Sequence, residues 1–310
     1  MKKILLFLCL LISYVAQAQK LYIKTFGKPQ DKAIIYLHGG PGYNCVNFEA
    51  TAAQQLSNQG FFVIVYDRRG EGRSEDKNAL FTFQQTFDDL NHIYDTYHIK
   101  QSVLIGHSFG GIVATLFAEN HPEKIRAILL AGAPVSLQES FKHIITTCKT
   151  IYADKKDSNN LKYISMLETM DTTSLMYSSY CFQHAMMNGF YTPKKTTTQA
   201  QEIYATFKTD TLLKKYAAKM TFEGPKGFFE HEKYTTINLT NSIKNLLKKK
   251  IKFYGIYGKD DGLYSADQIK QLQDIIGKDK LLYLDQCSHN AFIDQQEVFL
   301  NTCSTWFGKE

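Results

Sequence analysis

The sequence predicts an α/β fold: a mostly parallel sheet flanked by helices, with a helical insertion late in the chain. Two observations carry this expectation. Short apolar, β-rich runs alternate with segments of helical spacing. That alternation stops for more than a hundred residues and then resumes near residue 250, with no fixed-period repeat and no low-complexity tract. The length of 310 residues suits one large domain or one domain with an insertion. With 44% hydrophobic and 21% charged residues, a sizeable core can form.

The elements follow in order. Residues 33–37 (AIIYL) and 61–66 (FFVIVY) read as buried strands. Phe83, Phe87, Leu90, Tyr94 and Tyr97 recur at helical spacing behind a capping Thr82. A strand at 102–105, a helix over 109–120 and a strand at 127–130 come next. The interruption, 137–248, is polar, helical in pattern and holds six of the seven Met residues. Met is adaptable, so this composition suits either a mobile cover over ligands or a loosely packed helical core. A strand at 251–257, a helix at 266–276, a strand at 280–284 and a final helix at 291–307 complete the pattern. The domains expected are thus a core from 19–136 and 249–310, and a helical cap from 137–248.

Residues 1–18 read as a secretory leader. Lys2 and Lys3 precede an apolar run, and Ala16-Gln17-Ala18 supplies a small-x-small cleavage site. The run is too short to span a bilayer as a stable helix. The mature chain is expected to start at Gln19 and to be exported, periplasmic or secreted, without stable membrane insertion. Losing Lys2 and Lys3 lowers the formal charge from +6 to +4. That mild charge has no clustered basic face, which argues against a nucleic-acid binder. The run Lys248-Lys249-Lys250 closes a predicted helix, where cations suit the negative dipole end. Without Cys9 five cysteines remain, so at least one thiol is unpaired. No C-x-x-C pair or His spacing completes a zinc site, and no metal or cofactor is expected.

The strongest motif is Gly106-His107-Ser108-Phe109-Gly110, between a predicted strand and helix. Such a turn exposes the Ser108 hydroxyl and points a helix N-terminus at it, where backbone N–H groups favour developing negative charge. A serine needs a base. His289 follows the strand at 280–284, where that base belongs. The adjacent His107 should point away from Ser108. The acid belongs after the strand ending at Tyr257, where Asp260 and Asp261 adjoin, and only one of them can face His289. His38-Gly39-Gly40-Pro41-Gly42 follows the first predicted strand and can offer backbone N–H groups of Gly39 or Gly40, with that of Phe109, as an oxyanion hole. The segment Asp67-Arg68-Arg69-Gly70-Glu71-Gly72-Arg73-Ser74 reads as an ordered loop beside the site floor.

Together these residues resemble the α/β-hydrolase superfamily and, within it, the proline iminopeptidase (prolyl aminopeptidase) family of serine peptidases. That family shows HGGPG, then D-x-R-G-x-G-x-S, then G-x-S-x-G with a downstream Gly-x-x-Asp and a His. The resemblance covers roughly 33–136 and 249–300. It implies Ser108 as nucleophile, His289 as base and Asp261, third after Gly258, as acid. Acyl transfer through an acyl-serine would follow, with no cofactor. The insertion departs from the family. Phe182-Gln183-His184-Ala185 with Gly189-Phe190 is the nearest counterpart of the family's substrate-binding stretch, but Phe182 falls where its amine-binding Glu is expected. His184 is therefore a candidate substrate contact, and Glu223, Glu230 or Glu232 would have to supply the missing carboxylate. The single Trp, Trp306, lies outside the insertion, whereas the family's cap is Trp-rich.

These features predict an aminopeptidase acting on small peptides. A carboxylesterase with the same three residues and an apolar pocket is the alternative. A non-catalytic binding protein of this fold is the reading from another class.

Overall fold

The computed structural model describes residues 21–308; the leader expected over 1–18 lies outside the described residues. Among the described residues seven strands form one sheet: β1 (Ile23–Phe26), β2 (Lys32–Leu37), β3 (Phe61–Tyr66), β4 (Ser102–His107), β5 (Ile125–Ala131), β6 (Lys252–Gly258) and β7 (Leu281–Leu284). Their order is β1-β3-β2-β4-β5-β6-β7. Only β1 is antiparallel. The sequence pattern does not reveal it, because four edge residues, none of them buried, leave little apolar signal to read.

The central strands are apolar throughout because both faces are covered. Ile35 and Leu37 join a core with Phe87, Leu90, Ile112 and Phe117 of the Phe83–Thr96 and Phe109–Asn120 helices. Ile34 and Tyr36, pointing the other way, pack with Phe48, Phe292 and Phe299. Parallel pairing carries the ends of β2, β4, β5, β6 and β7 to one edge, with Leu37 beside Gly106, Ala131 beside Ile256 and Gly258 beside Leu284. Loops after those ends meet there, the usual place for a site in such sheets.

Thr82 caps the Phe83–Thr96 helix by accepting the Gln85 N–H, as its spacing predicts. The segment between β5 and β6 is helical, and five successive caps divide it: Ser136, Asp157, Ser174, Thr197 and Asp210 each accept an N–H three residues on. Its last helix, Thr240–Lys248, lies against the Phe109–Asn120 helix and β6 rather than over the strand ends. Met166, Met176, Met186, Met187 and Met220 stand more than half exposed. They fill no core. The Ser158–Leu167 and Leu175–Met187 helices pack on the Leu137–Asp154 helix and leave their other faces to solvent. The final helix runs as two, Ala291–Asp294 and Gln296–Phe307, broken where the Asp294 carboxylate turns to the Ser288 N–H and the Tyr204 hydroxyl. All five described cysteines are free and buried. Among the described residues no helix is long and apolar enough to cross a membrane.

Candidate active site

The turn after β4 forces Ser108 into φ 52°, a conformation that L-residues rarely adopt outside such turns. Its neighbours must be small: a Cβ on Gly110 would sit 2.0 Å from the Leu37 carbonyl oxygen, and one on Gly106 would sit 2.5 Å from Gly111 Cα. The Ser108 N–H donates to the Ala131 carbonyl at 3.1 Å, which ties the turn to the end of β5. Among the described residues its hydroxyl makes no hydrogen bond and is left free at the start of the Phe109–Asn120 helix.

Asp261 and His289, both buried, meet with Asp261 Oδ2 2.8 Å from His289 Nδ1. Asp261 Oδ1 accepts the Leu263 N–H, so both carboxylate oxygens are occupied. Asp260 faces away. Its N–H donates to the Cys287 carbonyl and its Oδ2 accepts the Lys194 N–H at 3.1 Å. His289 Nδ1 thus donates to a carboxylate and leaves Nε2 as the nitrogen able to take a proton.

His107 has a task that sequence reading missed. Its Nε2 donates to the His289 carbonyl at 3.0 Å, and the two rings lie 4.9 Å apart. Burial, then the neighbouring His289, push its pKa down to about 3, so it is a neutral prop at working pH. The spacing Gly-His-Ser could not show this contact, which spans 182 residues.

Beneath His289, Asp294 accepts the Ser288 N–H at 2.8 Å and the Tyr204 hydroxyl at 2.7 Å. Burial raises its pKa to about 6, above the ~3.9 of an unfolded aspartate. A carboxyl raised in the fold adds stability in full below its unfolded pKa and loses it as pH rises through the folded value. Asp294→Asn should remove that loss. Between pH 4 and pH 7 the unfolding free energy of the variant should gain on wild type by about 2 kcal/mol. Urea melts at both pH values check this, and parallel shifts would refute it.

The insertion reaches the site through residues other than those expected. Phe190 accepts the Gly262 N–H and the Ser288 hydroxyl through its carbonyl, and the Tyr191 ring meets His289 edge-on at 5.1 Å. Phe228 and Tyr234 pack on Phe109 at 5.0 and 5.3 Å. The half-buried His143 lies in the field of Asp261, and burial holds its pKa below the usual histidine value. By contrast His184 is buried in helix packing, its Nδ1 on the Tyr152 hydroxyl at 2.8 Å. Glu223 is exposed, Glu230 is exposed and pairs with Lys226, and Glu232 accepts the Phe83 N–H at 2.6 Å. None of these four contacts Ser108, Asp261 or His289 among the described interactions.

The HGGPG loop lies beside Ser108, since a Cβ on Gly39 would come within 3.1 Å of Ser108 Cβ. It is also tied to the insertion. Asn44 donates to the carbonyls of Tyr216 and Lys219, and the Thr221 N–H donates to the Gly42 carbonyl. Behind it, Asp67 accepts from Cys45 and Arg73, and Arg73 bonds Glu49 at 2.8 Å, which orders the 67–74 loop as its charges suggested. No group of His, Cys, Asp and Glu among the described residues could hold a metal ion.

A family model described as alpha/beta hydrolase fold matches residues 32–296. The chain is 22% identical over 292 residues to a proline iminopeptidase of Lactobacillus helveticus, covering 92% of this chain and 93% of that protein. Over some relatives the match is shorter: the chain spans 54% of the length of a protein of Mycoplasma pneumoniae named as a putative proline iminopeptidase, and 31% of a proline iminopeptidase of Arabidopsis thaliana. Among solved structures it is similar to a proline iminopeptidase-related protein of Thermus thermophilus, with TM-score 0.68 and 18% identity over 93% of both chains. An esterase from Exiguobacterium antarcticum aligns with TM-score 0.61 and 18% identity, over 93% of this chain and 96% of that one. At such identity these structures share the fold.

Proposed function

The chain belongs to the alpha/beta hydrolase fold family, and on that premise we propose that it is an exported serine hydrolase of the proline iminopeptidase type. The observation that carries this reading is the buried Asp261–His289 pair, held at the same sheet edge as the strained turn that presents Ser108. In the proposed cycle, Ser108 Oγ attacks the acyl carbonyl carbon while its proton passes to His289 Nε2. Asp261 holds Nδ1–H and stabilises the imidazolium. The N–H groups of Phe109 and of Gly39 or Gly40 receive the oxyanion. Collapse expels the amine, which takes the proton from His289. Water, deprotonated by His289, then frees the acid from the acyl-serine and restores the hydroxyl.

Relatives named proline iminopeptidases support an amine-releasing peptidase. The second reading, an esterase, is favoured by one observation: Glu223, Glu230 and Glu232 are all exposed or engaged elsewhere, while the insertion packs the rings of Tyr191 on His289 and of Phe228 and Tyr234 on Phe109. A substrate ammonium taken out of water needs a paired anion. Hydrolysis of proline and small-residue aminoacyl amides should therefore be measured beside their N-blocked forms and simple esters. Free-amine amides reacting faster than blocked ones supports the peptidase. Equal rates, or ester cleavage alone, replaces it with the esterase. Absence of all turnover and of fluorophosphonate labelling leaves a non-catalytic binding protein.

Export rests on the 1–18 pattern. Mass spectrometry of the protein from its native host should give a chain starting at Gln19, and a full-length secreted chain would refute cleavage after Ala18.

A further inference from the structure

We propose that Arg68, held by Glu71, is the positioning residue of the oxyanion hole: its guanidinium orients the two peptide planes that present the Gly39 and Gly40 N–H groups. The assignment rests on the acyl-transfer reading above. A trans peptide is planar, and its C=O and N–H point in opposite directions. Whatever holds a carbonyl oxygen therefore aims the next residue's N–H. Arg68 donates from one terminal nitrogen to the His38 carbonyl at 2.5 Å and from the other to the Gly39 carbonyl at 2.6 Å. The first bond aims the Gly39 N–H and the second aims the Gly40 N–H. Neither N–H donates to another group among the described residues. The same guanidinium lies 5.1 Å from the centre of the Phe109 ring, whose residue carries the third donor. One rigid, planar cation thus backs both halves of the hole. A cation on the carbonyl side of a peptide also polarises its N–H toward an anion.

His38 completes the frame. Its Nε2 accepts the Arg68 backbone N–H at 3.0 Å, and its Nδ1 donates to the Gly39 carbonyl at 2.9 Å. Burial and the Arg68 charge hold it neutral, so this pattern does not change at working pH. Arg68 is itself almost wholly buried, and a lone cation there would be costly. Glu71 Oε2, equally buried, lies 2.8 Å from it, while Glu71 Oε1 accepts the Gly42 N–H at 2.8 Å. The pair clamps the HGGPG loop at His38, Gly39 and Gly42. In the D-x-R-G-x-G-x-S pattern, Arg68 and Glu71 occupy positions left open, whereas the fixed arginine, Arg69, turns outward to Asp89 and Asp76.

The test compares Arg68→Lys and Glu71→Gln with wild type on the fastest substrate of the panel. Lysine keeps the charge but replaces the rigid two-nitrogen fork with one nitrogen on a flexible stem, and glutamine keeps the Gly42 acceptor but not the charge. Inhibition by a trifluoromethyl ketone, which Ser108 converts to a tetrahedral oxyanion, is measured in parallel. For Arg68→Lys, kcat should fall by about 30-fold with KM within about threefold, and the inhibition constant should rise in step with the fall in kcat/KM. Glu71→Gln should follow the same line with about a tenfold loss. A merely structural role would lower the melting temperature and leave kcat, KM and the inhibition constant of the folded variant near their wild-type values. Arg68→Lys with kcat within about threefold of wild type, or with kcat lost while the inhibition constant stands still, would overturn the assignment. If Arg68→Lys does not fold, Glu71→Gln decides by the same comparison, and unfolding of both would make the pair structural alone. A wild-type chain that a fluorophosphonate fails to label at Ser108 would overturn the acyl-transfer reading itself. A labelled wild type with unaffected variants would overturn only the role of Arg68.

Discussion

Ser108→Ala should abolish hydrolysis, by on the order of a million-fold in kcat, while leaving a folded protein. The hydroxyl is the only group in the proposed cycle that bonds covalently to substrate, and nothing else described at the turn replaces it. The substitution removes one oxygen that makes no hydrogen bond among the described residues, so the turn should survive. Residual binding and the backbone donors would leave activity somewhat above water. The measurement is kcat on the best panel substrate with a cooperative melt as control. Turnover above about a tenth of wild type would remove Ser108 as nucleophile.

Asp261→Asn should cost on the order of ten-thousand-fold in kcat, and Asp260→Asn less than about threefold. The first change puts an amide N–H where the His289 Nδ1–H now donates at 2.8 Å. His289 would then turn to the tautomer protonated on Nε2, which cannot accept the serine proton, and its imidazolium would lose its anion. Asp260 lies on the other side of the loop, against the Lys194 N–H, and an amide oxygen can accept that bond equally well. Its charge contact with Lys194 Nζ is long, 4.0 Å, and open to solvent on the lysine side. Steady-state kinetics of both variants decide the matter. A reversed order would mean that the Asp261–His289 contact is not the one used in turnover.

The core of the fold was legible because burial on both faces leaves strands such as 61–66 apolar throughout, a pattern that survives without knowledge of neighbours. The strand–turn–helix around Ser108 was legible for a related reason. Close approach of Gly110 to Leu37 tolerates no side chain, and that requirement is written in the residue type itself. The insertion was legible only in class. Its helical pattern predicts helices, but its Met residues suggested a ligand cover or a loose core, and the structure puts five of them in solvent. The carboxylates looked interchangeable for the same reason: a sequence records that Glu223, Glu230 and Glu232 exist, not that Glu232 already holds the Phe83 N–H.

What the sequence alone determined was the α/β alternation, the turn at Ser108, a histidine after the last strand and an acidic pair after the strand before it. Those are properties of local spacing and residue type. Tertiary structure decided which acid meets His289, since Asp260 and Asp261 are chemically alike and differ only in what distant loops offer them, the Cys287 carbonyl and Lys194 on one side and His289 on the other. It also decided that His107 props the His289 loop and that Arg68 and Glu71 grip the HGGPG turn. Each of these contacts joins residues far apart in the chain, or sets the direction of a peptide plane. Side-chain identity constrains neither of them until the sheet has brought the loops together.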